Sequence, residues 1–128
     1  MGKTYLIDTN VVSKYLRDDL PNWAMQFMDE VVENGSNISV ITRIELEVYA
    51  PPTEQERQTI QEYINGSATY MLTEEIIQQT IKLRRQYRSI KRPDTIIAAT
   101  AMVNDFVVLS TNDRDFMKIA GLKYRSLQ

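Results

Sequence analysis

Residues 93–109 impose the tightest constraint on how this chain folds. Pro93 opens the stretch Ile96-Ile97-Ala98-Ala99-Thr100-Ala101-Met102-Val103, apolar almost all round at helical spacing. A helix without a polar face belongs in the interior. Phe106-Val107-Val108-Leu109 follows at once, and its unbroken apolar character suits a central parallel strand covered on both faces. A buried helix feeding such a strand calls for layers on either side of a sheet.

The remaining elements read the same way. Residues 4–8 form a strand ending at Asp8, and Thr9 or Asn10 caps a helix carrying Val11, Val12, Tyr15 and Leu16. Pro21 sits in the first turn of a second amphipathic helix with Trp23, Met28 and Val31, stopped by Asn34-Gly35. Residues 38–41 are a strand, after which Thr42 and Glu45 match a capping box and Pro51-Pro52 ends the helix. Thr53 with Glu56 starts a helix over 54–65 that Asn65-Gly66 closes. Residues 68–72 are a third strand, and Thr73 caps a helix with Ile76, Ile77, Ile81, Leu83 and Tyr87 on its apolar side. Residues 116–120 form a short helix ending at Gly121, and residues 123–125 an edge strand. The expected fold is α/β: three layers, with a central parallel sheet of four to five strands in one domain over 1–128.

The chain contains neither histidine nor cysteine. That excludes disulfides, thiolate zinc sites, Ser-His-Asp and Cys-His catalysis. The opening Met1-Gly2-Lys3-Thr4 runs into a strand too brief for a signal segment, and no stretch is long enough to span a membrane, so a cytoplasmic location is expected.

Acidic residues stand where apolar runs give way to turns or helix starts: Asp8, Glu45, Asp94, and the pair Asp113 and Asp115. In a parallel sheet, ligands bind beyond the C-terminal ends of the strands. Carboxylates gathered there, without imidazole or thiol, suit a hard divalent cation such as Mg2+ or Mn2+. Each acid also has an ordinary reading. Asp8 serves as a helix cap, Glu45 as the partner of Thr42, Asp94 as a complement to a helix dipole, and Asp113 and Asp115 as turn residues. It is their joint placement on one sheet edge that argues for a site.

The net charge of −2 counts at face value against a nucleic-acid binder. Setting the five site acids aside leaves 12 acids against 15 bases, so a polyanionic substrate stays open. The basic run Lys82, Arg84, Arg85, Arg88, Lys91 and Arg92 is either a solvated helix face or a phosphate track leading to Asp94. In the second reading Arg92, Lys91 and Arg88 are the substrate-binding candidates.

At these residues the chain resembles the PIN-domain family, in particular VapC-type toxin endoribonucleases. The matching blocks are Leu6-Ile7-Asp8-Thr9-Asn10, Ser39-Val40-Ile41-Thr42 leading to Glu45-Leu46, Pro93-Asp94-Thr95-Ile96-Ile97-Ala98-Ala99-Thr100-Ala101, and Ser110-Thr111-Asn112 with Asp115-Phe116. The resemblance implies a PIN-like fold and a Mg2+- or Mn2+-dependent endoribonuclease, the toxin of a type II toxin–antitoxin pair, with tRNA among its candidate substrates. It carries over Asp8, Glu45 and Asp94 as catalytic and metal-site acids. Asn112, Asp113 and Asp115 all fall within the window of the fourth position. Alignment on Asp115-Phe116 favours Asp115, whereas Asp113 is nearer the strand end. Thr9, Asn10, Ser110, Thr111 and Asn112 stand where they would hydrogen-bond the acids. Kinship further implies a homodimer and a VapB-like antitoxin partner. The segment Tyr49-Ala50-Pro51-Pro52 departs from the family pattern and alters the expected cleft entrance.

The alternative is a catalytically silent PIN-like module that binds RNA or protein. Receiver domains and dehalogenase-like phosphatases also carry acids at strand ends. Asp8-Thr9-Asn10 lacks the Asp-x-Asp of the latter, and the paired acids of the former are missing.

Overall fold

The computed structural model describes residues 3–128; Met1 and Gly2, which open the run into the first strand, lie outside them. The chain runs β1 (Tyr5–Ile7), α1 (Thr9–Leu16), α2 (Asn22–Glu33), β2 (Ser36–Ser39), α3 (Val40–Val48), α4 (Glu54–Asn65) and β3 (Ser67–Tyr70). It continues through α5 (Glu74–Gln86), α6 (Arg92–Asn104), β4 (Val107–Ser110), α7 (Asp113–Phe116) and β5 (Tyr124–Ser126).

All strand pairings are parallel. β4 lies between β1 and β5, with Leu6 opposite Val108 and Val108 opposite Tyr124. β2 pairs with β3, Ile38 opposite Thr69. The two ladders meet along β1 and β2, where Asn37 Nδ2 donates to the carbonyl of Tyr5 at 3.0 Å.

Alternation along the strands divides the interior in two. Ile7 and Leu109 face one core with Val11, Val12, Met28, Ile38, Leu46 and Ile64. Leu6 and Val108 face the other with Ile76, Leu83, Ile97, Ala98 and Phe116. The sheet is thus packed between α1–α4 on one side and α5–α7 on the other. As its composition requires, α6 is buried over Thr95 and Ile97–Ala101, and Pro93 in its first turn forfeits no helical hydrogen bond.

Several boundaries differ from the sequence reading. Asp8, rather than Thr9 or Asn10, caps α1. Pro21 is the cap of α2 rather than a member of its first turn. α3 begins three residues early because the Ser39 hydroxyl accepts from Ile41 N–H, so Val40 and Ile41 are helical and the Thr42–Glu45 capping box does not form. α7 spans Asp113–Phe116, and residues 117–121 form turns rather than a helix. Ile77 and Ile81, expected on the packed side of α5, are solvent-exposed.

Candidate active site

The parallel sheet delivers the ends of β1 and β4 to one edge, and Asp8 is the first residue past β1. Its backbone is extended (φ −71°, ψ 152°), and its carboxylate caps α1 through Oδ1, which accepts from Thr9 N–H at 2.8 Å. Oδ2 accepts from the hydroxyl of Ser110, the last residue of β4, at 2.7 Å. Asp8 is only 4% exposed. Burial pushes its carboxyl up to about 6, and the negative charges of Asp94 and Glu45 add to the rise against the two hydrogen bonds.

Glu45 reaches the same place from α3. The earlier start of that helix puts Glu45 in its second turn, where Oε1 accepts from Thr9 Oγ1 at 2.5 Å. Thr9 Oγ1 also lies 3.0 Å from the hydroxyl of buried Thr42. Thr42 is thus a support for Thr9 rather than a helix cap, a role its position in a supposed capping box concealed.

Asp94 comes from the first turn of α6 and Asp115 from α7. The side chain of Asn112 joins them: Nδ2 donates to Asp94 Oδ2 at 3.0 Å and to Asp115 Oδ2 at 3.2 Å. Burial raises the carboxyl of Asp94, helped by the charges of Asp115 and Glu45, while Asn112 and Lys91 oppose the shift. Asn112 N–H donates to Ser110 Oγ at 2.9 Å, so Ser110 ties the turn to Asp8. Asn10 Oδ1 stands 3.5 Å from the same hydroxyl.

The charges of Asp94 and Glu45 thus act on Asp8, and those of Asp115 and Glu45 on Asp94, whereas the hydrogen bonds of Asp113 lead elsewhere. Its carboxylate accepts from the Tyr124 phenol and, at 2.9 Å, from the Ser126 hydroxyl, both on β5. Burial and this contact keep the phenol protonated well above its usual range. Thr111, expected to hydrogen-bond the acids, instead accepts through its carbonyl from the Gln128 amide. Tyr124 and Ser126 escaped the sequence reading; their spacing of two residues on an edge strand, which points both to one face, was the available signal.

Among the described residues the ion pairs are Arg43–Glu47, Arg57–Glu54 and Lys123–Asp105, so none of the four converging acids has a salt-bridge partner. No three acids there stand in a ready-made cation cage. The oxygen-only donors and unpaired negative charge nonetheless fit a cation such as Mg2+, which keeps several waters and binds through one or two carboxylates.

A groove of about 640 Å3 runs between α5 and α6, with Arg84, Arg85, Arg88 and Arg92 over Ile81 and Ile96. Arg84 is tied to the carbonyl of Ile90 in the loop before α6. Lys91 lies outside the groove lining, close enough to Asp94 to favour its ionised form.

Residues 5–122 match the PIN domain family model. The chain is 32% identical over 122 residues to Ribonuclease VapC19 of Mycobacterium tuberculosis, covering 92% of this chain and 96% of that one. In fold it is similar to the structure of VapBC2 from Rickettsia felis bound to a DNA fragment from its promoter (TM-score 0.83, 17% identity, 98% of this chain and 99% of that chain). It is also similar to DNA-bound VapBC from Salmonella typhimurium (TM-score 0.82, 19% identity, 99% and 100%).

Proposed function

The chain belongs to the PIN domain family, and from that premise we propose that it is a metal-dependent endoribonuclease, the toxin of a type II toxin–antitoxin pair. Its likeness to a VapC ribonuclease over nearly its whole length supports the activity. The observation that carries the reading is the electrostatic influence linking Asp8, Glu45, Asp94 and Asp115 across four segments, with none of them in a salt bridge among the described residues.

In this reading Asp8, Glu45, Asp94 and Asp115 would hold Mg2+ or Mn2+, one or two of them directly and the rest through its waters. When bound, the cation would supply a water of lowered pKa and offset charge on the phosphoryl oxygen. The protein's own part is to place the donors. Ser110 and the Thr9 amide hold both oxygens of Asp8, leaving the carboxylate one orientation. Thr9 and Thr42 hold Glu45 against the same edge, and Asn112 keeps Asp94 and Asp115 side by side. With no histidine in the chain, proton transfer falls to water and carboxyl groups. Lys91, Arg92 and Arg88 hold the RNA backbone, Arg88 and Arg92 from the groove and Lys91 beside Asp94.

The partners follow from kinship: an RNA substrate, with tRNA among the candidates, a VapB-like antitoxin, and a second copy of the chain. Among the described residues no helix is long and apolar enough to cross a membrane; cytoplasmic placement is part of the proposal. The test is incubation of a tRNA and structured-RNA pool with wild type and Asp94→Asn, in Mg2+ or Mn2+ and in EDTA. Cleavage by wild type alone, abolished by EDTA, is expected. Cleavage that survives both EDTA and the substitution overturns the mechanism, and a wild type that binds RNA without cutting it returns the silent-module reading.

A further inference from the structure

Between the end of β4 and the end of α7, Asn112, Asp113 and Asp115 point to two different places. Asn112 and Asp115 face Asp94, with the Asn112 amide bridging both carboxylates. Asp113 reaches the other way, to Tyr124 and Ser126. Its carboxylate is occupied by two hydroxyl donors on β5.

β5 is well placed to act as an anchor. Ser126 lies opposite Ser110 in the parallel register, so the strand runs alongside the end of β4. Tyr124 also stacks on buried Phe116, the last residue of α7, with ring centroids 5.6 Å apart. Asp113 at the start of α7 and Phe116 at its end are thus both fastened to Tyr124. Asn112 and Asp115 lie just outside and just inside this fastened segment, so their positions depend on it.

We propose that Asp113 is a positioning residue: latched to Tyr124 and Ser126, it fixes the turn that presents Asn112 and Asp115 to Asp94, and it does not itself hold the cation. The inference rests on the cation reading of the site. It separates two neighbouring acids that the sequence leaves equivalent, assigning one to the cation and the other to the frame around it.

The test is Mn2+ affinity by isothermal titration, with stability in EDTA measured alongside. Asp113→Asn retains an acceptor for Tyr124 and a donor for Ser126, so it is expected to keep wild-type Mn2+ affinity within about twofold. Asp113→Ala and Tyr124→Phe, which break the latch, are expected to weaken binding about tenfold. The Asp113→Ala/Tyr124→Phe double variant is expected to lose less than the two single ones together, because both remove the Tyr124–Asp113 hydrogen bond while each also loses a contact of its own, to Ser126 and to the Ser110 carbonyl. Ser126→Ala gives a milder break should Tyr124→Phe fail to fold. If Asp113→Asn loses affinity as severely as Asp94→Asn, Asp113 is a ligand and the latch is overturned. If the latch variants lower stability in EDTA yet bind Mn2+ as wild type does, the contact is merely structural and the proposal again falls. A wild type that does not bind Mn2+ overturns the cation reading itself, a result distinct from either.

Discussion

Ser110 donates its hydroxyl to Asp8 at 2.7 Å, joining residues 102 positions apart in the sequence. The same oxygen accepts from Asn112 N–H, so one buried hydroxyl orients an acid at the end of β1 and the turn after β4. Ser110→Ala removes the donor from a buried carboxylate and the acceptor from a backbone amide. The expected cost is about 1–3 kcal/mol, read as a lower urea midpoint with an unchanged slope.

Asp8 makes stability depend on pH in a direction opposite to that of a salt-bridged acid. Its carboxyl titrates at about 6 in the folded protein against an ordinary 3.8, so between those values the folded state holds more protons than the unfolded one. Unfolding free energy therefore falls as pH rises through that window, by on the order of 3 kcal/mol in total. The penalty is absent below the lower value and complete above the upper. Asp8→Asn removes the titration and loses a hydrogen bond. In EDTA the variant is expected to be less stable than wild type near pH 3.5 and to gain on it by roughly 3 kcal/mol by pH 7. Denaturant titrations at the two pH values check this; a stability difference independent of pH contradicts it.

A cation that neutralises the acids relieves the same penalty. Adding Mg2+ or Mn2+ at pH 7 is expected to raise the melting temperature of wild type. A concentration one hundred times Kd corresponds to about 2.7 kcal/mol. Asp8→Asn and Asp94→Asn are expected to blunt the rise, and a melting temperature indifferent to either cation counts against the site.

The groove arginines predict a salt dependence. With cleavage silenced by Asp94→Asn, binding of a single-stranded RNA should weaken as salt increases, with a logarithmic slope of about 0.7 per phosphate neutralised. Arg88→Ala and Arg92→Ala are each expected to reduce that slope by about 0.7, as fluorescence anisotropy against salt would report. Arg84→Ala, whose guanidinium is tied to the Ile90 carbonyl, is expected to lower the melting temperature more than the slope.

Local signals proved readable where local chemistry decides the outcome. Thr53 and Thr73 cap α4 and α5 as their spacing suggests, and Gly35 takes the positive φ of 113° after α2. The apolar run through α6 and β4 identified the centre of the fold because burial leaves such segments no alternative. Val40 and Ile41 misled because β-branched residues favour strands, while Ser39 three residues before Thr42 had already started the helix. One helical turn then decided whether Glu45 was a cap partner or a companion of Thr9. Asp113 and Asp115 could not be separated locally, since their directions depend on β5, which lies further along the chain. The exposure of Ile77 and Ile81 was hidden for a similar reason: periodicity marks an apolar stripe wider than the part of α5 that α6 covers.

The parallel topology has a consequence for synthesis. Parallel strands cannot be joined by tight turns, so the acids that meet at one edge are spread from position 8 to position 115. A nascent chain emerging from the ribosome carries Asp8 and Glu45 long before β4 and the turn after it supply Ser110 and Asn112. Until those arrive, Asp8 lacks its Ser110 donor and Asp94 lacks the Asn112 amide that joins it to Asp115. A site built on all of these acids is completed only once β4 and α7 have been synthesised.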